Sequence, residues 1–159
     1  MDTSKKLPLA LSLTALAISV FGVALVLTGY SGNEEAPVPA NREVFGQNSQ
    51  MGYSAASRYG DLVWTAGHLP DPNSTGAPIG VQTDQVLTGL KRTLQQAGAD
   101  FDTVVMTTVY LRDFNDWPAF NAAYRQQFTR KLPPRVTIQI GQLGRGDIEI
   151  SMVAHVRHT

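Results

Sequence analysis

Two stretches near the C-terminus constrain the fold more than any other part of the chain. In Arg135-Val136-Thr137-Ile138-Gln139-Ile140 the even positions are apolar and the odd ones polar. From Ile148 to Val156 the even positions are again apolar: Ile148, Ile150, Met152, Ala154 and Val156. Side chains alternate faces along a strand, so each stretch reads as a strand with one apolar face. The connection Gly141–Gly146 is short enough to make the two antiparallel neighbours. On that reading one face of the sheet feeds a core beneath helices. The other face gathers Arg135, Thr137, Gln139, Glu149 and Ser151.

The segments upstream supply the rest of such a sheet. Tyr53–Arg58 and Leu62–Ala66 flank the turn Tyr59-Gly60-Asp61 and read as a hairpin. Gly67 to Gly80 holds three prolines and reads as a loop. Its Asn73-Ser74-Thr75 matches a glycosylation sequon, a triplet common by chance. Val86, Leu87, Leu90, Leu94 and Ala97 recur at helical spacing, with Thr83 as N-cap and Gly98 past the end. Val104–Arg112 is apolar on both faces, as in a strand covered on both sides. Asp116-Trp117-Pro118 opens a second helix carrying Trp117, Phe120, Tyr124 and Phe128 on one side, and Pro133-Pro134 forbids its continuation. The order is β-β-α-β-α-β-β, an α+β fold with both helices on one face of the sheet. The opposite, polar face is either wet or covered by assembly about a symmetry axis, which makes it an interface or a pocket.

The first forty residues are a different material. After Lys5 and Lys6 no charge appears until Glu34, and Leu7 to Tyr30 is mostly Leu, Ala, Val, Ile and Phe. A helix of roughly 20 such residues crosses a hydrocarbon core of about 30 Å. Residues 1–30 therefore read as a signal anchor or a cleaved signal peptide, the length of the apolar run favouring the anchor. The flanking charges put the N-terminus in the cytoplasm and the domain on the extracytoplasmic, periplasmic side. Residues 31–42, with Pro37 and Pro39, read as a flexible tether, and 43–159 as one domain. Thirteen basic side chains balance thirteen acidic ones, which offers nucleic acid no electrostatic footprint. There is no cysteine, so disulfides, thiolate nucleophiles and thiolate metal sites are excluded together.

Several fragments, in order, resemble a known family. They are Tyr53, Gly60-Asp61-Leu62-Val63 leading to Ala66-Gly67-His68-Leu69-Pro70, Asp113-Phe114-Asn115-Asp116, Phe120-Asn121 with Tyr124, Pro134-Arg135 with Thr137, and Ile148-Glu149-Ile150. The chain from about Tyr53 to Val156 resembles the Rid family (YjgF/YER057c/UK-type, also labelled L-PSP endoribonuclease). The resemblance implies a chorismate-mutase-like fold and a homotrimer with pockets between subunits. It also implies cofactor-independent hydrolysis of reactive enamine/imine acids such as 2-aminoacrylate to a 2-keto acid and ammonia, as in 2-iminobutanoate/2-iminopropanoate deaminases. By position, Arg135 corresponds to the arginine that grips the substrate carboxylate and Glu149 to the glutamate near the attacking water. Tyr53, Gly67, Asn121 and Thr137 correspond to pocket-lining positions.

The residue types suit that chemistry. An imine carbon is already electrophilic, so water attacks it without a metal or cofactor once it is protonated. Arg135 offers a planar, permanently charged fork to a carboxylate, and Glu149 can orient and deprotonate a water. Plainer accounts stand beside these. Arg135 and Glu149 can form an interstrand salt bridge, worth about 0–1 kcal/mol if exposed. Tyr53 can be packing, and Asn121 can bridge on its own helix. His155 and His158 fall on opposite strand faces and do not make a metal site. Ser151 replaces an acidic residue usual in the family, and His68 stands where relatives often carry glutamine. Those departures, with the export, leave an alternative: a membrane-tethered ligand-binding or chaperone-like trimer without deaminase activity. A ribonuclease rests only on the family's older label, because the domain is close to neutral and lacks a His pair for transphosphorylation.

Overall fold

Hydrophobic spacing sets the two helices, and each covers the same side of one sheet. In the computed structural model the described residues are 42–128 and 131–157. The strands are β1 (Glu43–Asn48), β2 (Tyr53–Tyr59), β3 (Leu62–Thr65), β4 (Val104–Leu111), β5 (Arg135–Gln139) and β6 (Ile148–His155). The helices are α1 (Ile79–Gln96) and α2 (Trp117–Gln127). The strand order is β1-β2-β3-β6-β4-β5, with β4 and β5 parallel and every other pair antiparallel. This is the expected α+β sheet with one strand added at its start.

The core lies between that sheet and the helices. Val86, Leu87, Leu90 and Leu94 of α1 and Phe120 and Tyr124 of α2 are buried against Val63, Val109, Leu111, Ile148, Ile150, Met152 and Ala154. Burying a Leu or Ile side chain is worth about 1.5–3 kcal/mol, so this apolar layer dominates what holds the helices down. Helix α1 begins earlier than its apolar repeat announces. Its N-cap is Pro78, and Thr83 lies inside it, its hydroxyl donating to the Ile79 carbonyl at 2.7 Å. The expected stop is found: Ala97 caps the helix and Gly98 follows at φ +83°, a conformation that favours glycine.

Three expectations are corrected. First, β5 and β6 are not neighbours, because β4 lies between them. Second, β4 is not covered on both sides within the protomer: Thr107, Val109 and Leu111 are buried, while Val105 is exposed. Third, the apolar face of β5 is not its core face. Val136 and Ile138 are 44% and 41% exposed, while Arg135 on the opposite face stacks over the core rings of α2. An edge strand beyond the end of a helix layer need not bury its apolar row within its own protomer. The sheet's bare face therefore carries Tyr59, Trp64, Val136 and Ile138, all exposed.

The anchor and tether expected over 1–30 and 31–42 lie outside the described residues, apart from Arg42. Among the described residues no helix is long and apolar enough to cross a membrane.

Candidate functional site

Arg135 is the first residue of β5 and pairs in register with Thr107 of β4. That places its side chain against α2. Its guanidinium carbon sits 4.5 Å from the centre of the Tyr124 ring and 4.9 Å from that of Phe120. Cations over aromatic faces within about 6 Å are attracted by the ring quadrupole. The platform is itself fixed. Tyr124 is buried, and its hydroxyl donates to Thr107 Oγ1 at 3.1 Å. Burial pushes the Tyr124 phenol above its usual range, opposed by the Thr107 hydrogen bond and the Arg135 charge, so it stays a neutral donor. Burial also lowers the Arg135 pKa, with Tyr124 opposing, and the guanidinium remains charged.

One guanidinium nitrogen donates to Asn121 Oδ1 at 2.8 Å. Asn121 is half-buried on α2, and among the described residues no carboxylate pairs with Arg135. The cation is thus oriented by neutral groups, and most of its donor fork is left for a ligand. An open cavity of about 250 Å³ adjoins it, lined by Asn121, Tyr124, Arg125, Leu132, Pro133 and Arg135. Thr137 follows two residues along β5 on the same face, half-buried and paired in register with Val109.

Glu149 belongs to a different place. It lies on β6 opposite Tyr110, half-buried, on the sheet face away from the helices. Gly67 lies directly against it: a Cβ built on Gly67 would overlap the Glu149 carboxylate. The approach is enforced by a two-bond bridge, His68 N–H to Ile150 carbonyl at 2.8 Å and Ile150 N–H to His68 carbonyl at 3.1 Å. Among the described residues nothing hydrogen-bonds or ion-pairs with the Glu149 carboxylate. Tyr53, half exposed at the start of β2, lines an open groove of about 500 Å³ with Trp64, Thr65 and Ala66, the residue before Gly67.

The six expected site residues therefore form two groups. Arg135, Asn121 and Thr137 belong to one, and Glu149, Gly67 and Tyr53 to the other. The interstrand salt bridge between Arg135 and Glu149 does not form, and the single polar face shared by β5 and β6 does not exist. Arg135 lies level with Met152 through Thr107, three residues from Glu149 and two strands across. At about 3.3 Å per residue and 4.8 Å per strand, the backbones are roughly 14 Å apart, with side chains on opposite faces.

His68 plays a structural part: its ring nitrogens lie 3.2 Å from the Ala66 carbonyl and 3.0 Å from Thr93 Oγ1. Among the described residues no group of three His, Asp or Glu side chains is placed to hold a metal ion. Sequence reasoning missed Arg125, whose four-residue spacing from Asn121 on one helix face was the available signal.

Comparison with known proteins agrees with this architecture. Residues 47–156 match the family described as Endoribonuclease L-PSP. A RutC family protein of Saccharolobus solfataricus is 38% identical over 107 residues, 64% of this chain and 85% of that protein. The 3-aminoacrylate deaminase RutC of Acinetobacter baylyi is 36% identical over 110 residues, covering 65% and 86%. A 2-iminobutanoate/2-iminopropanoate deaminase of Mus musculus is 36% identical over 107 residues, covering 64% and 79%. Among solved structures, a YjgF/YER057c/UK114 family member from Mycobacterium tuberculosis superposes with a TM-score of 0.66 at 30% identity, over 73% of this chain and all of that one. The YjgF gene product of Escherichia coli gives 0.63 at 28% identity, over 72% and 94%.

These relatives also correct the reading of an exported, membrane-anchored domain. That reading rested on Leu7–Tyr30 and its flanking charges, whereas the relatives are matched over 79% to 86% of their own length by the domain. Among the described residues no helix is long and apolar enough to cross a membrane, and the extracytoplasmic location is not retained. Match, strand order and superposition converge, and the chain belongs to the Rid family, that of YjgF and the L-PSP endoribonucleases.

Proposed function

We propose that this chain hydrolyses small enamine and imine acids of the 2-aminoacrylate type to the keto acid and ammonia, without a cofactor, in a homotrimer with its sites between protomers. One observation carries the reading. A guanidinium is held ready by Asn121, Phe120 and Tyr124 without a carboxylate, and a carboxylate lies over Gly67 without a cation. Each is half of a site, and a second copy of the chain supplies the missing half. The names of the deaminase relatives support the same chemistry.

The reaction needs little from the protein. The enamine takes a proton on carbon and becomes an iminium. Water adds to the iminium carbon, the carbon–nitrogen bond breaks, ammonia leaves and a carbonyl remains. Arg135 holds the substrate carboxylate in a bidentate pair, and Glu149 of the adjoining protomer takes a proton from the attacking water. The Thr137 hydroxyl accepts from the iminium nitrogen, and Tyr53 and Gly67 shape the wall near Glu149.

The test generates aminoacrylate with a coupled lyase and follows keto-acid release. Wild type should exceed the uncatalysed rate. Arg135→Ala should lose about 10- to 100-fold in kcat/KM, the worth of a charge-assisted pair. Glu149→Gln should lose about 10²- to 10⁴-fold in kcat. A wild-type rate equal to the uncatalysed one over several imino acids would remove the enzyme reading, and keto-acid binding without turnover would replace it with ligand binding.

A further inference from the structure

The cavity beside Arg135 holds more positive charge than a monocarboxylic acid needs. Among the described residues its lining has two guanidiniums, Arg125 and Arg135, one amide, Asn121, the Tyr124 ring and the apolar pair Leu132 and Pro133, and no Asp or Glu. Arg125 is exposed on α2, one turn beyond Asn121, so both project from the same helix face. Asn121 orients Arg135, whereas among the described residues Arg125 makes no hydrogen bond or ion pair. The two cations thus differ in kind. One is fixed on an aromatic platform, and the other is an exposed arm lining the same cavity.

We propose that Arg125 is a specificity-determining residue, and that the site prefers small diacids, imines whose carbon chain ends in a second carboxylate, over monocarboxylic ones. Arg135 takes the carboxylate next to the imine carbon, and Arg125 takes the distal one. About 250 Å³ accommodates a five-carbon diacid, and a cavity with two cations and no anion is electrostatically unsatisfied until a dianion fills it. The inference rests on the hydrolase reading for its substrate, but not for its binding preference, which the keto-acid products also report.

The test compares 2-oxoglutarate, a diacid, with 2-oxobutanoate, a monoacid, by titration calorimetry on the full chain. Wild type should hold the diacid about tenfold more tightly, the worth of one added charge-assisted contact at an exposed position. Arg125→Gln should bring the ratio of the two dissociation constants close to one, and Arg125→Lys should restore part of it. Arg135→Gln should weaken both acids together. Equal wild-type affinities, or an equal loss of both acids in Arg125→Gln, would overturn the proposal. So would a change in sedimentation of Arg125→Gln, which would make Arg125 an interface residue. Binding with the predicted preference but no imine hydrolysis would remove the hydrolase reading and leave the two-cation cavity standing.

Discussion

His68 shows how a carbonyl partner decides which ring nitrogen carries a proton. A carbonyl oxygen only accepts, so the ring nitrogen facing the Ala66 carbonyl must carry the proton. The other nitrogen is then free to accept from the Thr93 hydroxyl, at 3.0 Å. The ring is neutral in this arrangement, and burial lowers its pKa, opposed by the Ala66 bond. A base whose folded pKa lies below its unfolded value of about 6.5 binds protons more readily when unfolded. Its contribution to stability is complete above pH 6.5 and is lost as pH falls through the lower, folded value. Thermal melts at several pH values between 7.5 and 5 should show the midpoint dropping with acid, and His68→Gln should flatten that slope. An unchanged slope would mean other groups govern the acid response. At this scale the sequence was informative where chemistry and position coincide. Arg135 and Glu149 stand out by their chemistry and Gly67 by resemblance, but Tyr124 as the platform beneath Arg135 does not, because a core aromatic and a cation's support look alike in one dimension.

Among the elements, the segment after β5 is fastened to α1 by one amide. Gln82 is fully buried; it donates to the Ala77 carbonyl at 2.7 Å and to Asp147 Oδ2 at 2.8 Å, and accepts from the Asp147 N–H at 2.9 Å. Asp147 in turn accepts from Arg112 at 2.9 Å. Gly146, at φ +64°, brings the backbone so close that a Cβ there would strike Pro70 and Gln82. Replacing Gln82 with Leu keeps the bulk but strands the Asp147 N–H and the Ala77 carbonyl in a buried place. The expected cost is about 2–3 kcal/mol, read by urea denaturation at fixed protein concentration with the m-value unchanged. A loss under about 0.5 kcal/mol would show that water replaces the amide. Taking Thr83 as the N-cap puts Gln82 just outside the helix, because the apolar repeat of α1 starts at Val86 and polar residues below it carry no period. β1 escaped for a related reason: as an edge strand it leaves only Phe45 partly covered, and Gly46 at φ +59° interrupts it. The interior strands, the end of α1 and the start of α2 were legible. The face of β5 was not, because alternation reveals two faces without saying which one meets the helices and which another molecule.

For the whole molecule, the separation of Arg135 from Glu149 becomes a statement about assembly. Exposed apolar side chains on the sheet, Trp64, Val136 and Ile138 among them, mark a surface that a second copy can cover. If the hydrolytic site is shared, two defective chains can repair each other. Arg135→Ala lacks the cation and keeps the carboxylate, while Glu149→Gln lacks the carboxylate and keeps the cation. A mixed oligomer contains interfaces where an intact Arg135 from one variant faces an intact Glu149 from the other. With random assembly from equal amounts, each site needs one particular variant on each side, so about a quarter of sites are whole. Dissociating and reassembling the two impaired proteins together should restore about a quarter of wild-type turnover per site, while each reassembled alone keeps only its own residual rate. Sites contained within single protomers would recover nothing at any mixing ratio. A recovery that peaks at equal proportions therefore separates a shared site from an enclosed one.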